Sequence, residues 1–317
     1  MKAIHWDGSS AKLNPKAPGP NLQPDDVLIQ VRLAGICATD LQIFRGYMGF
    51  RGIPGHEFVG DVIEGPLEWL GKHVVGEISF GCGKCEACKR GMKRHCPYRR
   101  VLGIDGADGT FAEFVAVPVA NLHVVPGGIS DEEAVFTEPL AAALEILEQV
   151  HLTPAQSVLV LGDGKLGLLC AQVLSLAGAS VTLIGKHEGK LEIVRAHGIQ
   201  TALQSEWQPA PADVVVEATG SEPGLKLALS MTKPRGTLVL KSTIHGLHNL
   251  ALAPLVINEV TVVGSRCGPF PPALCLLSQK RVTVTPLIDK IYPLSEGLQA
   301  ISHAARPDAL KVLLRCS

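Results

Sequence analysis

"VLVLGDGKLG", residues 158–167, is the stretch whose reading decides the fold. An unbroken apolar run enters Gly162-x-Gly164-x-x-Gly167. Beyond it Leu166, Leu169, Cys170, Val173 and Leu174 recur at i, i+3, i+4, i+7 and i+8, one apolar face of a helix. A strand apolar at every position is buried on both sides, as in a parallel sheet covered by helices. A glycine turn between such a strand and a helix lets the backbone approach a pyrophosphate and places its phosphates at the positive helix end. Similar runs follow it: "SVTLIG", "ADVVVEATG", "GTLVLKS" and "EVTVVGS", with helical segments between them. Their alternation predicts a doubly wound α/β sheet over residues 138–271, binding a dinucleotide through Gly162, Gly164, Lys165, Leu166, Gly167, Thr219 and Gly220.

The end of the second strand bears on which dinucleotide. An acid about twenty residues past the glycines would hydrogen-bond a free ribose 2′-hydroxyl and repel a 2′-phosphate. Here that place holds Gly185, Lys186 and His187. A small glycine leaves room and Lys186 supplies charge, which argues for NADP(H). The competing reading makes Lys186 and His187 ordinary loop residues, with Glu188 on the ribose of NAD(H).

Residues 1–137 have another texture. Short alternating segments such as "DVLIQVRLAGI", "FVGDVIEG" and "AEFVAVPVANLHVVP" are broken by glycine and proline, the pattern of an antiparallel, barrel-like domain. From residue 272 a helix, two strand-like segments and a further helix do not extend the strand–helix series, so residues 272–317 are expected to complete this first domain. The 317 residues suffice for two cores, and a net charge of −1 gives no electrostatic case for nucleic acid or an anionic membrane. "MKAIHWDGSS" has no apolar signal region, so a cytoplasmic protein with reduced thiols is expected. Leu166 to Ile184 carries no charge but is interrupted by Gly178, and reads as buried helix followed by strand, not as a membrane span.

"CGKCEACKRGMKRHC", residues 82–96, gathers Cys82, Cys85, Cys88 and Cys96 within a lobe spanning 81–97. Thiolates three apart on a glycine-bearing loop can converge on tetrahedral zinc, and the surrounding lysines and arginines offset their charge. A disulfide knot is the alternative; a chain this large needs no staples, and its nine cysteines are an odd number. Four thiolates leave no open coordination position, so such an ion would be structural.

Three further motifs complete the pattern: "GICATDL" with Cys37, Thr39 and Asp40; "GHEFVG" with His56 and Glu57; and "TEPLA" with Glu138. With the four-cysteine lobe, "NLHVVP", the glycine loop and the closing "KVLL", they resemble, in order along essentially the whole chain, the zinc-containing medium-chain dehydrogenase/reductase family. The polyol, threonine and glucose dehydrogenase branch is the most similar. The resemblance implies a GroES-like catalytic domain and a Rossmann domain, with a catalytic zinc in the cleft. It implies Cys37, His56 and Glu138 as ligands and Glu57 as an exchangeable acid near the metal. By the same resemblance Thr39 is the hydroxyl that takes the substrate's proton, with Asp40 orienting His56. The relay histidine of some alcohol dehydrogenases is replaced by Gln42, and the segment "EGPLEWLGKHVVGE" is shortened.

The expected function is hydride transfer between a nicotinamide cofactor and an alcohol or polyol, with two zinc ions per chain and a dimeric or tetrameric assembly. Candidate substrate contacts are Tyr47, Phe50 and Arg266, a mixture of aromatic and cationic groups that suits a hydroxylated substrate. The alternatives are a zinc-free reductase of the same superfamily and a catalytically silent dinucleotide sensor. A zinc-finger nucleic-acid binder would need a basic face that the overall charge does not supply.

Overall fold

The structure, a computed structural model, describes residues 1–243 and 250–317. The chain divides into two compact units, Met1–Glu138 with Ala273–Ser317, and Pro139–Pro272.

In the first unit the long strand Asp26–Gly35 is the organiser. It pairs antiparallel with Glu57–Glu64, Phe114–Pro118 and Lys311–Arg315. The sheet continues on one side through His73–Gly76 and Leu122–Val124, and on the other through Ile288–Pro293, which runs parallel to Lys311–Arg315. The C-terminal segment thus belongs to this sheet. Its alternating strands bury one set of side chains, including Val27, Ile29, Val31 and Leu33, in agreement with the sequence pattern. Two pieces escaped that pattern. The hairpin Ala3–Trp6 with Ala11–Asn14 is too short to show a period, and the small sheet beside the cysteine lobe uses strands of two or three residues.

The second unit is a six-stranded parallel sheet. Its spatial order is Gln200–Leu203, Ser180–Gly185, Ser157–Leu161, Ala212–Glu217, Thr232–Leu240 and Thr261–Gly264. The five apolar runs are five of these strands. The sixth, "QTAL", lies at the sheet edge, is only half-buried, and carries no apolar run to announce it. The order reverses at Ser157–Leu161, so the glycine loop sits where an open α/β sheet leaves its ligand crevice. Helix Lys165–Leu176 follows the loop and is buried at every residue from Gly167 to Leu174, more widely than one stripe requires. Gly178, at φ 84°, then turns the chain into Ser180–Gly185.

Asp213 staples the amino ends of these strands. Its Oδ2 accepts hydrogen bonds from Ser157 N (2.8 Å) and Ser157 Oγ (2.6 Å), and Lys233 Nζ lies 3.1 Å away. Bonds from Ser157, then from Lys233, hold the Asp213 pKa down from 3.8 to about 2. A depressed carboxylate stabilises the fold above its unfolded pKa, and that contribution fades as pH falls towards the folded one. Asp213→Asn should therefore melt below wild type at neutral pH, with the gap closing between about pH 4 and about pH 2. A gap that is constant across that range in thermal scans would assign the loss to packing alone.

Candidate active site and cofactor loop

Asp40 draws two chain segments together. Helix Ala38–Ile43 begins after Cys37, and Asp40, in its first turn, accepts a hydrogen bond from Cys37 N at 2.8 Å. Its other carboxylate oxygen accepts from Gly55 N (3.3 Å) and lies 3.2 Å from His56 Nδ1. Asp40 is fully buried and His56 is 3% exposed. Burial opposes a charged imidazole, but Asp40, and then Cys37, outweigh it and hold the His56 pKa well above the usual 6.5. A metal ion would compete with that proton for the ring. Nδ1 lies beside Asp40 at an ion-pair distance without hydrogen-bond geometry, and Nε2 is the nitrogen left for a ligand.

The donor atoms of Cys37, His56 and Glu57 lie within 4.8 Å of one another. Glu57 is 1% exposed. Its Oε2 accepts from Lys311 Nζ, equally buried, while Oε1 has no hydrogen-bond partner among the described residues. The register explains the encounter: Gly35 lies opposite Glu57 on one side and Leu313 on the other. A side chain at Gly35 would collide with the Glu57 carboxylate, so glycine there opens the path to Lys311. The lysine also sits 5.6 Å from the ring centre of Phe136. Lys311 opens the quoted "KVLL", and a cation leading directly into an apolar run was the signal available for it.

Other candidates are placed differently. Glu138, half-buried in the first turn of helix Thr137–Gln149, is not one of the three clustered donors; Glu57, next to His56 in the chain and steered by Lys311, supplies the carboxylate there. Thr39 Oγ1 is 3.8 Å from Cys37 Sγ, and Thr39 is half-buried. Phe50 is 7% exposed, packed with Trp6 and Ile43 in a small core against which Tyr47 lies. Arg266 is exposed and belongs to the second unit.

The four lobe cysteines also have their sulfurs within 4.8 Å of one another, and all are free thiols. Cys85 and Cys96 are 3.6 Å apart, far beyond a disulfide bond. Backbone amides of Lys84 and Cys85 pull Cys82 down to about 6, whereas desolvation and the neighbouring Cys85 push Cys88 up to about 11. Crowded thiols suppress one another's ionisation, and a divalent cation relieves that conflict.

In the second unit Gly164 precedes helix Lys165–Leu176 and has open space where a side chain would stand, a cradle for a phosphate. A side chain at Gly167 would fall on the Gly162 carbonyl, so glycine permits the close helix–strand packing. The turn at Thr219 and Gly220 is held by Glu217, which accepts from Thr219 N and Oγ1 at 2.7 and 2.6 Å. Gly185 leaves no vacancy, contrary to the sequence expectation. A Cβ there would meet Asp163 Cβ at 2.5 Å and Oδ2 at 2.6 Å. No helix among the described residues is long and apolar enough to cross a membrane.

Residues 23–127 match the alcohol dehydrogenase GroES-like domain, and residues 166–279 match the zinc-binding dehydrogenase domain. The chain belongs to the zinc-containing medium-chain dehydrogenase/reductase family. It is an NAD(P)-dependent enzyme of the alcohol/polyol dehydrogenase type. It is 29% identical to a sorbitol dehydrogenase from Halalkalibacterium halodurans, over 99% of this chain and 98% of that one. An Escherichia coli CFT073 alcohol dehydrogenase complexed with NADH superposes with TM-score 0.90 at 25% identity, covering 99% of each chain. A Sinorhizobium meliloti 1021 protein described as a zinc-binding dehydrogenase, bound to NADP, gives 0.87 at 27% identity, over 99% of this chain and 98% of that one.

Removing one member of a buried ion pair strands the other charge, at a cost of about 3–5 kcal/mol. Lys311→Met should therefore be strongly destabilised in urea unfolding, and Glu57→Gln/Lys311→Met should recover much of the loss. A double variant as unstable as the sum of the two singles would show that the residues do not interact.

Proposed function

We propose that the chain is a zinc-dependent dehydrogenase of polyols or related alcohols, with Cys37, His56 and Glu57 holding the catalytic ion. The observation that carries this reading is the unpartnered, buried Glu57 Oε1 beside a cysteine and a histidine. A buried carboxylate oxygen with no donor is costly, and thiolate, imidazole and carboxylate together are the donor set of zinc. One coordination position then stays open for a substrate oxygen. When bound, zinc would supply Lewis-acid polarisation of that oxygen, and the nicotinamide would supply the hydride acceptor.

The chain's own groups do the rest. Asp40 fixes His56 and the Cys37 backbone, so the donors converge without rearrangement. Lys311 offsets the negative charge that Cys37 and Glu57 bring into a buried space. Thr39, whose Oγ1 lies 3.8 Å from Cys37 Sγ, would accept the proton of a substrate hydroxyl. The lobe of Cys82, Cys85, Cys88 and Cys96 is suited to a second, structural zinc. Likeness to a sorbitol dehydrogenase supports a polyol as substrate. A homo-oligomer is expected; the unpaired edge of Thr261–Gly264, with Val256, Ile257 and Val262 exposed nearby, supports it.

A panel of alcohols, polyols and aldehydes assayed with both cofactors should reveal turnover. Cys37→Ser or His56→Ala should abolish that turnover and leave the cofactor dissociation constant nearly unchanged, because the glycine loop lies in the other unit. Cofactor affinity falling in step with the rate would contradict the assignment.

Cys85→Ser should lose one equivalent of zinc and thermal stability while the folded fraction keeps its kcat. A fully stable but inactive Cys85→Ser would reverse the roles of the two sites.

A further inference from the structure

We propose that Asp163, inside the glycine loop, selects the coenzyme, accepting the free ribose of NAD(H) and rejecting the 2′-phosphate of NADP(H). The proposal rests on the dehydrogenase reading and assigns the coenzyme within it.

Strand Ser180–Gly185 ends without an acid, but an acid reaches the same place from the neighbouring strand. Asp163 Oδ2 accepts from Lys186 N and His187 N, both at 2.7 Å, and lies 3.0 Å from His187 Nδ1. Two successive backbone N–H groups and an imidazole, just before helix Glu188–Arg195, converge as donors suited to an anion. In this fold the end of the second strand is where the adenosine ribose and its 2′ substituent lie. These donors are already taken by the chain's own carboxylate.

Among the described residues all three donors fall on Oδ2 and none on Oδ1. Oδ1 is the acceptor for a ribose hydroxyl, held at a fixed position because the rest of the carboxylate is anchored. Asp163 is 7% exposed, so it cannot swing out into solvent without breaking those bonds. A 2′-phosphate, carrying about two negative charges, would meet this carboxylate at close range and find both backbone donors taken. Lys186 offers a countercharge, but its side chain is exposed and its attraction is screened by water. Gly185 is part of the same device: any larger residue there would strike Asp163.

The test is the dissociation constant of NADH and of NADPH, measured by fluorescence titration for wild type, Asp163→Asn and Asp163→Gly. Wild type should bind NADH at least about tenfold more tightly than NADPH, the size of one charge-assisted contact. Asp163→Asn removes the charge at nearly constant shape and should narrow that ratio by about tenfold, chiefly by tightening NADPH. Asp163→Gly, which also frees the backbone donors, should bring NADPH to equal or tighter binding. Wild type preferring NADPH would overturn the proposal. So would an unchanged ratio in both variants, which would reduce Asp163 to a brace for the loop. A folded, zinc-loaded wild type that binds neither cofactor would overturn the dehydrogenase reading itself, and this assignment with it.

Discussion

The ion pair between Glu57 and Lys311 joins the interior of the first unit to its own C-terminal return. These residues are 254 positions apart and both 1% exposed. A pair so deeply desolvated yields little net stability, because the attraction mostly offsets the loss of water. Its effect is on placement. It requires Lys311–Arg315 to lie beside Asp26–Gly35, a small residue at Gly35, and one Glu57 oxygen turned towards Cys37 and His56. The same contact joins the strands and sets the direction of the Glu57 carboxylate.

Carboxylates recur as connectors at each important point. Asp40 ties the first turn of a helix to the loop carrying His56. Asp163 ties the glycine loop to the end of the second strand, and Asp213 ties three parallel strands at their opposite end. In every case the partners include backbone N–H groups, whose positions follow from the fold, so each carboxylate is held rigidly. Rigid placement lets the donors of a site converge before any ligand arrives.

Most of the architecture was legible in the sequence because it rests on periodicity. Apolar runs such as "VLVL" and "SVTLIG" have one stable setting, a covered parallel strand, and the glycine loop between strand and helix locates the crevice. The edge strand "QTAL" was not legible, since an edge needs no apolar run. The four-cysteine cluster could be named from its spacing; the family resemblance named Cys37, His56 and Glu138 with Glu57 close by, and the structure gathers Cys37, His56 and Glu57. What escaped was pairing across distance. Nothing local in "ALKVLLR" says that Lys311 meets Glu57, and nothing in "GDG" says that Asp163 fills the space beside Gly185. Phe50 is ambiguous for a related reason: an aromatic after a glycine-rich turn reads equally as pocket wall or core, and the structure shows its packing against Trp6 and Ile43.

The central claim is that this chain builds two metal centres of different kinds in one unit. The most direct measurement is anomalous scattering across the zinc absorption edge from crystals of the untreated protein. The account predicts two peaks per chain. One should be enclosed by the sulfurs of Cys82, Cys85, Cys88 and Cys96. The other should be bounded by Cys37 Sγ, His56 Nε2 and a Glu57 oxygen, with one position left open. A single peak in the cysteine lobe, with Glu57 still turned towards Lys311 and nothing between Cys37 and His56, would contradict it.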